Sequence, residues 1–205
     1  MTTAAGRLRI AASAEPVTPD EDGRRRRSQD SRARIVQAML ELVHAGELSP
    51  AAEPVATRAK VGLRTVFRHF KDMDSLYQEM SLVIEGELKA IAEQPFKATD
   101  WRGRIIEIVH RRAVAYETVG PFLRAVDAFR HRSHVLESDH VRLSIAARAI
   151  LKRELPVEIV RDRSLFEALD LLLSFEAWSR LRRDQGLTIR RAAEVLEATV
   201  RKLLA

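Results

Sequence analysis

The side chains best suited to chemistry in this 205-residue chain fall within one short stretch: Arg64, Thr65, Arg68, His69 and Lys71. A narrow helix carrying such groups can place its first side chains on DNA base edges while its flanks touch phosphates. Arginine spans the O6 and N7 acceptors of guanine, and a threonine methyl meets the methyl of thymine. Four consecutive arginines, Arg24, Arg25, Arg26 and Arg27, precede that stretch. They suit a flexible arm that follows the backbone or enters a minor groove. A solvated tail that merely raises non-specific affinity fits them as well. On spacing alone, the 64–71 segment is equally a surface helix with ordinary solvated charges.

The distribution of charge bears on that choice. The chain has 35 Lys+Arg against 29 Asp+Glu, a net charge of +6. Residues 24–72 hold eleven basic and five acidic side chains, so the whole excess sits there and the remainder sums to zero. A basic segment on a neutral body suggests contact with a polyanion, because local charge sets that attraction.

Other chemistries find little support. The chain has no cysteine, which removes disulfides, thiolate zinc sites and a cysteine nucleophile. His131, His134 and His140 are weakly spaced for a metal, and a structural or solvated role suits them better. Serine-hydrolase, phosphate-loop, zinc-protease and dinucleotide fingerprints are all missing, and acid pairs such as Glu85/Glu87 are what solvated helices carry anyway. The expectation is therefore a non-enzyme without cofactor or metal. No apolar run is long enough to span a bilayer, and residues 1–23 lack the apolar core of a secretory signal, so a cytoplasmic chain without membrane contact is expected.

The elements that would position the basic segment read as helices throughout. Residues 1–23, small and polar, predict a disordered tail. Ile35, Val36, Met39, Leu40 and Val43 form an apolar stripe of helical period that stops near Gly46. A short helix over Ala51–Ala59 tolerates Pro54 in its first turn. The turn Lys60-Val61-Gly62 leads to a two-turn helix, Leu63–Phe70, with Val66, Phe67 and Phe70 able to face inward. Asp72 caps a long helix bearing Leu76, Met80, Val83, Ile84, Leu88 and Ile91. Further helices are expected over Trp101–Val119, Pro121–Arg130 after a Gly120-Pro121 break, Asp139–Leu155, Ser164–Gln185 and Thr188–Leu204. The fold class is all-α, with about nine helices.

The run Val55-Ala56-Thr57-Arg58-Ala59-Lys60-Val61-Gly62-Leu63-Arg64-Thr65-Val66-Phe67-Arg68-His69-Phe70, continued by Lys71-Asp72-Met73-Asp74-Ser75-Leu76, resembles the signature of TetR-family transcriptional regulators. The resemblance implies a helix-turn-helix DNA-binding domain over 24–75 and a helical effector-binding and dimerisation domain over 76–205. It places Arg64 and Thr65 at the exposed start of the recognition helix on base edges, Arg68 on base or phosphate, Phe67, His69 and Lys71 against the DNA backbone, and Phe70 in the small core. Three positions depart from the family pattern: Lys60 stands where glycine is usual, Gly62 where serine caps, and Met73 where a lysine is common.

The resemblance also implies a homodimer paired through its last two helices, with Leu169, Leu172, Leu173, Leu196, Val200 and Leu203 as interface candidates; intrachain core is the competing role. It implies a pocket for an unknown small-molecule effector, for which Ile106, His110, Tyr116, Phe122, Phe129 and Trp178 are lining candidates, again against ordinary packing. The expected function is a repressor released from a palindromic double-stranded operator by that effector. A non-specific architectural DNA-binding protein and a helical enzyme are the alternatives.

Overall fold

A computed structural model describes residues 19–205, with side chains from Arg25 onward. Among the described residues there are ten α-helices and no strand. They are α1 (Pro19–His44), α2 (Ala52–Ala59), α3 (Leu63–His69), α4 (Met73–Ala92), α5 (Trp101–Phe129), α6 (His134–Glu154), α7 (Val157–Arg161), α8 (Arg163–Leu172), α9 (Phe175–Ser179) and α10 (Ile189–Leu203). A 3₁₀ turn over Arg130–Arg132 joins α5 to α6, and a π-helical turn over Arg180–Asp184 extends α9. No helix among these residues is long and apolar enough to cross a membrane.

The expected tail falls largely outside the described residues, but its last part does not: residues 19–23 belong to α1. Arg25 to Arg27 are thus exposed residues of α1 and not a separate arm, while the side chain of Arg24 lies outside the described residues.

Two apolar clusters organise the chain. The first joins α1, α2, α3 and α4 to the C-terminal half of α5 through Ile35, Met39, Val55, Val66, Phe70, Leu76, Val119 and Phe122. The second joins the N-terminal half of α5 to the end of α6 and to α8, α9 and α10 through Ile105, Val109, Leu151, Leu169, Trp178, Leu196 and Val200. Helix α5 belongs to both, and it does so by running unbroken through Gly120-Pro121. The expected break there is corrected. Pro121 removes one backbone hydrogen bond, but Val119, Phe122, Ala125 and Val126 are all buried around it, and that packing holds the helix together.

Three more boundaries differ for identifiable reasons. Helix α6 starts at His134 instead of Asp139, because Ser133 caps it, accepting from the Leu136 N–H at 3.3 Å. The single helix expected over Ser164–Gln185 stops at Leu172 and restarts at Phe175. At the break the Leu173 carbonyl accepts from Arg112 Nη1 at 2.7 Å and from the Tyr116 hydroxyl at 2.8 Å, while Ser174 caps α9. The five-residue α7 was not expected at all.

Helices α1 and α2 end alike. After α1, Gly46 (φ 102°) donates to Val43 O at 3.0 Å and Glu47 to Leu42 O at 3.1 Å; after α2, Lys60 (φ 55°) donates to Thr57 O at 3.1 Å and Val61 to Ala56 O at 3.0 Å. The paired bonds satisfy the last carbonyls of each helix, and they need a left-handed residue. Glycine adopts that conformation freely, whereas the Lys60 Cβ is strained by it. Lys60→Gly is expected to stabilise the fold by about 0.5–1 kcal/mol, the strain relief less the added freedom of glycine when unfolded. Urea unfolding checks this: the midpoint should rise, and a fall would contradict left-handed strain at Lys60.

Candidate nucleic-acid interface

Helix α3 has seven residues and cannot stand alone. Val66 (1% exposed) and Phe70 (2%) anchor it in the first cluster. Burying each side chain contributes about 1.5–3 kcal/mol. With those two turned inward, Arg64, Phe67, Arg68 and Lys71 are exposed, and Thr65 and His69 are half-buried. Phe67, at 50% exposure, does not join the core as its apolar character suggested. The basic side chains of this segment therefore sit outside a helix whose position is set from within.

Arg32 of α1, which no motif in the sequence singles out, fixes the far end of α3. Its Nη1 donates to the His69 carbonyl at 2.7 Å, its Nη2 to Glu79 Oε1 of α4 at 2.7 Å, and its guanidinium lies 4.3 Å from the Phe70 ring centroid. One planar group thus ties together three helices, a use suited to arginine's fork of donors. Only the charge itself could have signalled it in the sequence, because the partners lie 37 and 47 residues away.

At the start of α4 the expected cap is present as a reciprocal pair. Asp72 Oδ1 accepts from the Ser75 N–H at 2.8 Å, and the Asp72 N–H donates to Ser75 Oγ at 3.3 Å. Those bonds from Ser75 hold the Asp72 carboxyl below its ordinary range, so it stays ionised beside Lys71. His69 is shifted the other way in effect: burial first, then the charges of Arg68 and Arg32, lower its proton affinity. Its buried Nε2 has no hydrogen-bond partner among the described residues. At neutral pH the imidazole is accordingly uncharged. Met73, where a phosphate-binding lysine would stand, packs half-buried against the first cluster.

The six expected pocket residues are not brought together. Phe122 and Phe129 belong to the first cluster, and Ile106, Tyr116 and Trp178 to the second. His110 is exposed, with its Nε2 2.9 Å from Glu197 Oε2. Two open surface grooves, of about 600 Å³ between α1 and α2 and about 520 Å³ beside α6 to α8, include none of the six. The interface candidates need a firmer correction. Leu169, Leu173, Leu196 and Val200 are fully buried inside the chain, because α10 packs on both α5 and α8 and these side chains join the second cluster. Leu172 is half-buried, and of the six Leu203 alone is exposed (38%). The three histidines named for a metal do not converge, and no group of three or more His, Asp or Glu suited to a metal ion occurs among the described residues.

No protein-family model and no curated protein matches the chain.

Proposed function

We propose that the chain is a sequence-specific DNA-binding transcriptional regulator of the TetR-like kind that its sequence resembles, acting as a repressor that a small molecule releases from a palindromic operator. One observation supports this above others: α3 is held by Val66 and Phe70 while Arg64, Phe67, Arg68 and Lys71 are exposed along the same two turns. On this reading Arg64 and Thr65 meet base edges in the major groove. Phe67, His69 and Lys71 lie along the backbone, where contacts position the helix without selecting sequence. The exposed Arg25 to Arg27 add further phosphate contacts, and their gain is salt-dependent.

A two-fold operator calls for a two-fold protein, so the regulator acts as a homodimer, paired through surfaces other than the buried faces of α8 and α10. An effector lowers operator affinity by as much as it prefers the conformation that misplaces α3. Selection from a random double-stranded DNA library tests the proposal. A palindrome with half-sites a helical turn or more apart is the expected result. Retained binding with no preferred sequence would instead make the chain an architectural DNA-binding protein, and no binding at all would end both readings.

A further inference from the structure

The two most exposed large apolar side chains among the described residues are Leu171 of α8 (70% exposed) and Ile145 of α6 (62%). They lie on neighbouring helices at the same level. Arg148 of α6 donates to Glu167 Oε2 and to Asp170 Oδ2 of α8, each at 2.8 Å. Arg112 of α5 donates to the Ala147 carbonyl and to the Leu173 carbonyl, each at 2.7 Å. One turn further along α6, Lys152 shares a surface groove with Arg163, at the start of α8. As α6 advances α8 therefore recedes, and the two run antiparallel side by side, with Ile145 level with the end of α8.

Each helix turns an uncharged stripe outward: Val141, Ile145 and Ala149 on α6, Ala168 and Leu171 on α8, all of them exposed at helical spacing. The charges between the stripes, Arg148, Glu167 and Asp170, are paired with one another. Single apolar residues on a surface need no partner, but an apolar patch that continues across two helices marks an interaction site. Depletion of charge is what sets the centre of an interface apart from the rest of a surface. Helix α10 offers no comparable face, because its exposed side carries Arg190, Arg191, Glu194, Arg201 and Lys202.

The same surface holds both halves of a contact. Near the start of α8 is the groove of about 520 Å³, lined by Val160 and Phe166 and by Arg148, Lys152, Arg163 and Glu167, three basic side chains to one acid. Neither Lys152 nor Arg163 has an ion-pair partner among the described residues. At the other end of α8 stands Leu171, and beyond it Glu176 at the start of α9, exposed and also without an ion-pair partner among the described residues. An apolar and acidic end thus faces away from an apolar and basic groove on one molecule.

We propose that this face binds a second copy of the chain in a two-fold contact, the Leu171 and Glu176 end of each copy entering the Arg163 and Lys152 groove of the other. Such a contact uses one patch twice, so the patch must complement itself. An axis through the middle of α8 achieves this. Ala168 is small where Leu171 of the other copy arrives, and Arg163 and Glu176 stand five residues outside Ala168 and Leu171. Opposite charges therefore meet on both sides of the axis and fix the register. An unlike partner would have to supply a matching knob and groove, whereas a second copy already has both. Only the use of this dimer on a two-fold operator rests on the regulator reading.

Sedimentation velocity of the full chain at micromolar concentration tests the contact. A mass near twice the 23.2 kDa of one chain is expected. Leu171→Arg drives a cation into the basic groove twice per dimer and should raise the dissociation constant about a hundredfold or more. Glu176→Arg should weaken pairing about tenfold, and adding Arg163→Glu should recover most of that loss. All three side chains are exposed, so the urea midpoints should stay near that of the wild type. Lys202→Glu, on α10, should leave pairing unchanged. A dimer as tight in Leu171→Arg as in the wild type, or a charge swap that recovers nothing, overturns the contact, as does a dimer that only Lys202→Glu weakens. A monomeric wild type that still selects a DNA sequence overturns it too, and leaves the regulator without its homodimer. A chain that pairs as expected but selects no DNA sequence ends the regulator reading and leaves the contact standing.

Discussion

Phe70→Ala is expected to destabilise the folded chain by about 3–5 kcal/mol, the usual cost of emptying a buried phenylalanine site. The ring is almost wholly buried at the meeting of α1, α3 and α4, and it also carries the Arg32 guanidinium on its face. Truncation leaves a cavity and strips Arg32 of that partner, worth on the order of 0.5–1 kcal/mol in a half-exposed setting. Helix α3 then keeps only Val66 as an anchor, too little for seven residues. The urea midpoint should fall with an unchanged slope, and amide exchange in α3 should rise beyond that in α10. A loss below about 1 kcal/mol would mean that the site collapses around the smaller residue and that Phe70 does not hold the helix.

The same residues show how far the sequence could be read. Val66 and Phe70 stand four apart and share one helical face, but Leu63 and Phe67 are apolar too, and that these two stay outside with the basic residues is decided by the packing. The turn at Lys60 was legible because a motif locates it, whereas its left-handed conformation is seen in the structure. Where periodicity failed, long-range partners decided. The Leu173 carbonyl is drawn out of a continuous helix by Arg112 and Tyr116, which lie 61 and 57 residues away. Helix α5 passes through Gly120-Pro121 because apolar neighbours on both sides bury it, which overrides a local breaker. An apolar stripe on α8 or α10 serves intrachain core and dimer interface equally well. Only the packing of α10 against α5 and α8 shows that Leu169, Leu173, Leu196 and Val200 face inward. Of the candidate interface, the exposed basic face was readable from residue types, whereas Arg32 was not, since its role is defined by what surrounds it.

If the exposed face of α3 reads DNA, Arg64 on that helix and Lys71 just past its end should fail in different ways. Arg64→Ala is expected to weaken binding to the selected sequence by about 1–3 kcal/mol while hardly changing binding to random DNA, because a bidentate base contact discriminates and a phosphate contact does not. Lys71→Ala is expected to weaken both equally and to reduce the slope of log affinity against log salt by roughly one unit, as one fewer phosphate is neutralised. Both side chains are exposed, so neither change should alter folding. Filter binding or fluorescence anisotropy over a salt series, on the selected site and on random duplex, separates the two. Equal losses on both DNAs for Arg64→Ala would move Arg64 to the backbone and shift base reading to Thr65 or Arg68. A Lys71→Ala loss confined to the selected site would place Lys71 on a base edge, and the major groove would then be read from the far end of α3.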